Sequence, residues 1–193
     1  MKRTFAVAVI VAFTAVGAYA AEKGIKGMSQ EDMIKTARSA APAHISSSAS
    51  VMLPGPDGKL TEAVKGTNGF TCVPDIDGQE RPDPICGDKA AMEWLNSAMN
   101  KAERPSNTVP GIAYMGQGGW HWEVDGKIVM DPATPGAKRL KEPPHWMILW
   151  PISSAETMIP ERHSNFGTYV MFEGTPYSHL MIYQDPNDLP EKH

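Results

Sequence analysis

Two short segments repeat the same pair of metal-ligating side chains: His145-Trp146-Met147 and His179-Leu180-Met181. Residues two apart on a β-strand point to one face, so each segment would present an imidazole beside a thioether. Prolines precede both segments and an isoleucine follows each methionine. Pairing of the two strands would gather a His₂Met₂ cluster. Thioether sulfur binds copper(I) well and hard ions poorly, whereas imidazole accepts either copper state. The expectation is a copper site built from His145, Met147, His179 and Met181, with His121 and Met130 as a further pair on one face of a hairpin. With Met1 set aside, eleven methionines remain. Methionine is also an adaptable core filler that packs well on aromatic rings, and five tryptophans are present. A purely structural role for these residues is therefore the competing reading.

Other reactive patterns are thinner. There is no G-x-S-x-G elbow, no H-E-x-x-H, no P-loop and no C-x-x-C-H haem attachment. An enzymatic reading would use His121, His145 or His179 as a general base beside an acid such as Glu123, but no nucleophile, base and orienting group can be located together. Asp75, Asp77, Glu80 and Asp83 cluster in one loop. They lack the spacing and the distal glutamate of a calcium loop, and a solvated acidic loop is expected. Trp120 and Trp122 share a strand face beside Gly116-Gln117-Gly118-Gly119. Exposed, they would form a stacking platform for a flat ligand; buried, they are core.

Cys72 and Cys86 flank a turn-rich stretch with little of its own to pack. With no C-x-x-C neighbour, a disulfide is expected, worth about 3 kcal/mol in the chain-entropy picture. The first twenty residues support an oxidising destination. Lys2 and Arg3 precede an apolar run over 5–16, and Ala18-Tyr19-Ala20 fits a small-x-small cleavage site. The run is shorter than the roughly 20 residues a membrane span needs. Residues 1–20 read as a cleaved signal peptide and 21–193 as a single globular domain, periplasmic or secreted, with a loose tail after about residue 185. Loss of Lys2 and Arg3 leaves 16 Lys and Arg against 22 Asp and Glu. An acidic chain without a basic run has no electrostatic grip on phosphate backbones, so nucleic acid is not an expected partner. No membrane span is expected after cleavage.

The elements that would position these residues are short, broken by seventeen prolines and seventeen glycines. Ser29 caps a first helix that ends by Pro42. Asp88 caps a second, on which Met92, Leu95, Met99 and Ala102 form the expected core stripe, with Ala91, Trp94 and Ala98 beside it. Alternation over 45–53 suggests a strand that turns at Pro54-Gly55-Pro56-Asp57-Gly58, and a short strand over 69–73 leads into the cysteine loop. Asp125-Gly126 is a two-residue turn signal for a hairpin over 120–131, with Trp122 opposite Val129 and His121 opposite Met130. Further strands are expected over 145–150, 169–172 and 177–184. The sum is an α+β fold: a β-rich single domain of short antiparallel strands with two helices and one disulfide-closed loop.

Four segments carry a resemblance: Gly66-Thr67-Asn68-Gly69-Phe70-Thr71-Cys72-Val73-Pro74, Cys86-Gly87-Asp88-Lys89-Ala90-Ala91-Met92-Glu93-Trp94, Pro143-Pro144-His145-Trp146-Met147 and Gly174-Thr175-Pro176-Tyr177-Ser178-His179-Leu180-Met181. Together they resemble a family of uncharacterised exported bacterial proteins. That resemblance implies export and brings no activity or functional residue with it. The function expected from the residues is an exported soluble binding protein without catalytic activity, for copper or another small ligand. The alternatives are a structural or interaction protein of the cell envelope and, third, an enzyme.

Overall fold

The structure, a computed structural model, describes residues 24–55, 58–79 and 81–191. The expected signal segment, Pro56, Asp57 and Glu80 lie outside the described residues.

Ser29 caps helix α1 (Gln30–Arg38) by accepting a hydrogen bond from the Asp32 amide at 3.1 Å, and Glu31 and Asp32 complement the positive helix start. The helix stops at Ser39, before Pro42. A one-turn helix α2 (Ala43–Ser46) follows, where alternation had suggested a strand; only strand β1 (Ser50–Pro54) keeps the alternating burial. β2 (Leu60–Val64) pairs back onto it, and β3 (Thr71–Val73) and β4 (Ile85–Gly87) bring Cys72 directly opposite Cys86. The disulfide is formed across that pair.

Helix α3 (Lys89–Met99) is capped by Asp88, which accepts from Ala91 N at 2.8 Å and, through its other oxygen, from Ile112 N at 3.0 Å. That second bond ties the helix to β5 (Gly111–Met115). A side chain at Gly111 would put its Cβ 2.3 Å from Ala91 N, so glycine permits the close helix–strand approach. The core-facing side of α3 carries Ala91, Trp94 and Leu95, while Met99 is exposed. The expected stripe is therefore rotated toward the residues beside it.

β6 (Trp120–Val124) and β7 (Lys127–Val129) form the expected hairpin, with Trp122 opposite Val129 and with Asp125 and Gly126 at φ 50° and 76°. β7 ends at Val129, so His121 and Met130 do not become a pair. His121 is buried opposite Leu140 of β8 (Lys138–Lys141), and Met130 is exposed. The chain closes with β9 (His145–Leu149), a short α4 (Ser154–Thr157), β10 (Thr168–Met171), β11 (His179–Ile182) and a 3₁₀ turn (Pro186–Asp188). Pro186 is buried, and Leu189 packs against the core.

Eight strands form one sheet in the order β10-β11-β9-β5-β4-β3-β1-β2, antiparallel except where β1 meets β3. The three-stranded sheet runs β7-β6-β8. Alternate residues of the large sheet feed two cores. Tyr114, Trp146 and Cys86 pack with Ala37 on the α1 face. Ala113, Met115, Met147 and Met181 pack with Trp94 and Leu95 on the α3 face. The fold is α+β and β-rich, in a single domain, and the described residues carry two longer helices and two one-turn helices. Among the described residues no helix is long and apolar enough to cross a membrane.

Candidate metal centre

His121, Glu142 and His163 converge on one point, each offering a ligand atom within 4.8 Å of the others. They come from three places: β6, the residue after β8, and the loop before β10. Backbone geometry sets the first two. β8 pairs with β6, and Glu142 N extends the contact by donating to Gly119 O at 2.8 Å. The glycine turn makes room for this. Gly118 has φ +68°, and a Cβ there would lie 2.1 Å from the Glu142 carbonyl oxygen.

Glu142 is 1 % exposed and heavily partnered. Tyr169 donates its hydroxyl to Oε1 at 2.9 Å, and the Tyr183 hydroxyl donates to Oε2. His121 Nδ1 lies 2.5 Å from Oε1, and His163 Nε2 lies 3.5 Å from the same oxygen. Burial alone would raise the pKa of this carboxyl. The contacts with His121 and Tyr183 and the nearby imidazoles outweigh it, holding the group ionised with its pKa lowered to about 2. The same carboxylate, after burial itself, pushes both tyrosine hydroxyls upward, so they remain neutral donors.

The two histidines differ. His121 is buried, and although Nδ1 is close to Glu142, neither of its ring nitrogens has a well-aligned hydrogen bond. Nε2 also lies 3.8 Å from Glu123 Oε2. His163 is partly open, with 44 % of its side chain accessible, and its ring stacks on Tyr169 and Tyr183 at centroid distances of 4.8 and 5.0 Å. The Tyr183 hydroxyl is 2.6 Å from His163 Nδ1. Two imidazoles and one ionised carboxylate form a donor set suited to a divalent transition ion such as zinc or copper(II), with a position left for water or another ligand.

The four His-x-Met residues lie next door. β9 and β11 are neighbours, and their register sets Met147 opposite Met181. It sends the histidines to opposite ends: His145 falls beside Tyr183, at a ring distance of 6.1 Å, and His179 beyond Leu180. All four line one cavity of about 140 Å³ on the α3 face, which Glu142 also borders. Each histidine spends Nδ1–H on the carbonyl two residues earlier, Pro143 at 2.7 Å and Tyr177 at 2.9 Å. Burial lowers the pKa of both, that of His179 to about 4, so each ring is neutral with a lone pair on Nε2.

The acidic loop departs from expectation. Asp77 pairs with Arg139 at 2.5 Å, and Asp83 is 2 % exposed, its Oδ1 without a partner. Burial and the neighbouring charge of Asp77 raise its pKa to about 8. Trp120 is neither a bare platform nor full core. Arg139 and Lys141 lie over its ring at 4.5 and 5.0 Å, its indole nitrogen is buried without a partner, and the residue lines the same cavity. Sequence reasoning named His121 but missed Glu142, His163 and the two tyrosines. Compared with protein-family models, with curated proteins and with solved structures, the chain matches none.

Proposed function

We propose that this is an exported binding protein that holds a divalent transition-metal ion between His121, Glu142 and His163. The observation that carries the reading is a buried, ionised carboxylate facing two imidazoles, one of which keeps both ring nitrogens without aligned hydrogen bonds. Buried polar atoms without partners are uncommon and costly, and a bound ion would give one of the His121 ring nitrogens its partner. Tyr169 and Tyr183 orient the carboxylate as outer partners orient metal ligands elsewhere. Copper(II) and zinc are the first ions to test, because imidazole binds both and copper(II) stands highest in the divalent series. The Lys2-Arg3 start, the apolar run and Ala18-Tyr19-Ala20 support export, and the Cys72–Cys86 bond suits an oxidising compartment.

A second reading concerns soft copper(I), favoured by the direct opposition of Met147 and Met181. One experiment separates the two. Chelator-treated protein is titrated with zinc, copper(II) and copper(I), alongside His163→Ala and a Met147→Leu/Met181→Leu double variant. The first reading expects one equivalent of zinc or copper(II), with affinity reduced at least tenfold by His163→Ala and unchanged by the double variant. Copper(I) binding lost only in the double variant would favour the second. Divalent binding indifferent to His163→Ala would overturn the first.

A further inference from the structure

We propose that the cavity beside the metal cluster is a binding site for a small, uncharged, ring-sized molecule carrying one hydroxyl or carbonyl oxygen. The cavity stands on observations separate from the metal ligands. Its volume of about 140 Å³ is close to that of an engineered apolar cavity, about 150 Å³, which takes up benzene. Its floor is Met147, Met181 and Leu149 of the large sheet. Thioethers adapt to an irregular ring and make favourable sulfur–aromatic contacts, so the floor suits a flat ligand without demanding one shape.

Polar groups in the wall set the second requirement. The indole N–H groups of Trp94 and Trp120 and the Oδ1 atom of Asp83 are all buried, all belong to residues lining this cavity, and all lack hydrogen-bond partners. An unpaired buried donor or acceptor costs about 1–3 kcal/mol. Three around one small space point to an occupant with an oxygen of its own. Two N–H donors call for an acceptor, and a ligand hydroxyl could in turn donate to Asp83. The lining is mostly apolar, and the one ionised group on its border, Glu142, is already engaged by His121, Tyr169 and Tyr183, so a charged ligand would lose hydration with little to replace it. This combination, an apolar body with a few converging polar groups, is the usual make-up of a small-molecule site.

Phenol and benzene are suitable probes because they differ only in the oxygen. Calorimetric titration of metal-free protein should give saturable one-to-one binding of phenol, at least tenfold tighter than benzene. Trp94→Phe keeps the ring and deletes the N–H. It should bring phenol down to the benzene value and leave benzene unchanged, and Trp120→Phe should act in the same direction should the first variant fold poorly. Absence of saturable phenol binding, which would leave the cavity to water only, overturns the proposal. Equal affinity for the two probes, or a phenol preference that survives both substitutions, overturns it as well. Since no metal is present in the titration, its failure would leave the metal reading untouched.

Discussion

Glu142 is where local energetics and candidate chemistry meet. Its carboxylate is buried, yet it stays ionised because His121 and two tyrosine hydroxyls surround it. Glu142→Gln preserves the shape and removes the charge. It should abolish divalent binding and lower stability by about 1–3 kcal/mol, since donors aimed at a carboxylate would face an amide. Metal titration and chemical denaturation of the same variant read both effects. Asp83 makes the opposite case. Its folded-state pKa of about 8 lies above the ordinary value of 3.8. The native state therefore holds a proton that the unfolded chain releases, and the stability this group contributes is lost as pH rises from about 4 to about 8. Asp83→Asn should be the more stable protein at pH 8, by on the order of a few kcal/mol, and the gap should close toward pH 4. Parallel denaturation curves at the two pH values check this; a constant gap would contradict it.

At the scale of elements, turns and caps were legible before the fold was seen, because their chemistry is local. Ser29 and Asp88 cap as their types suggest, and Asp125-Gly126 makes the hairpin turn. The two His-x-Met segments were legible as strands, but their pairing was only a condition of the copper reading; they do pair, and an antiparallel register sets methionine against methionine and parts the histidines. The metal cluster was not readable. His121, Glu142 and His163 lie 21 residues apart in turn, and β6–β8 pairing together with a loop outside any strand brings them together. No local periodicity encodes such a meeting. The core side of α3 was legible in part: Leu95 is buried and Met92 packs on the core, but Met99 is exposed, because the tight approach at Gly111 turns Ala91 and its neighbours inward. Two predictions belong here. Gly118→Ala would drive its Cβ into the Glu142 backbone and should weaken divalent binding at least tenfold while the fold persists, as circular dichroism would show. Replacing Cys72 and Cys86 together with serine should lower stability by about 3 kcal/mol through release of the closed loop, measurable by denaturant unfolding.

Across the whole molecule, the α3 face of the large sheet holds most of the buried ionisable groups, and they give the protein a two-sided pH profile. His145 and His179 are neutral when folded, with lowered pKa values, and Glu142 is ionised with a lowered one. Each binds protons less readily in the native state than in the unfolded chain, so stability is lost as pH falls, first below about 6.5 through the histidines and then below about 4.5 through Glu142. His179→Gln should flatten the limb between pH 6.5 and 4, where thermal melts at intervals of half a unit would show it. Metal affinity should fall over the acid range too, because protons compete for the ligand nitrogens. The metal cluster and the apolar cavity share Glu142 as a wall, so an ion in one would lie beside a molecule in the other. The most direct measurement is a crystal structure of the zinc-soaked protein with anomalous scattering recorded at the zinc edge. The account predicts one strong peak about 2.0–2.2 Å from a nitrogen of His121, a nitrogen of His163 and an oxygen of Glu142. A peak elsewhere, or no peak in a crystal saturated with zinc, would contradict it.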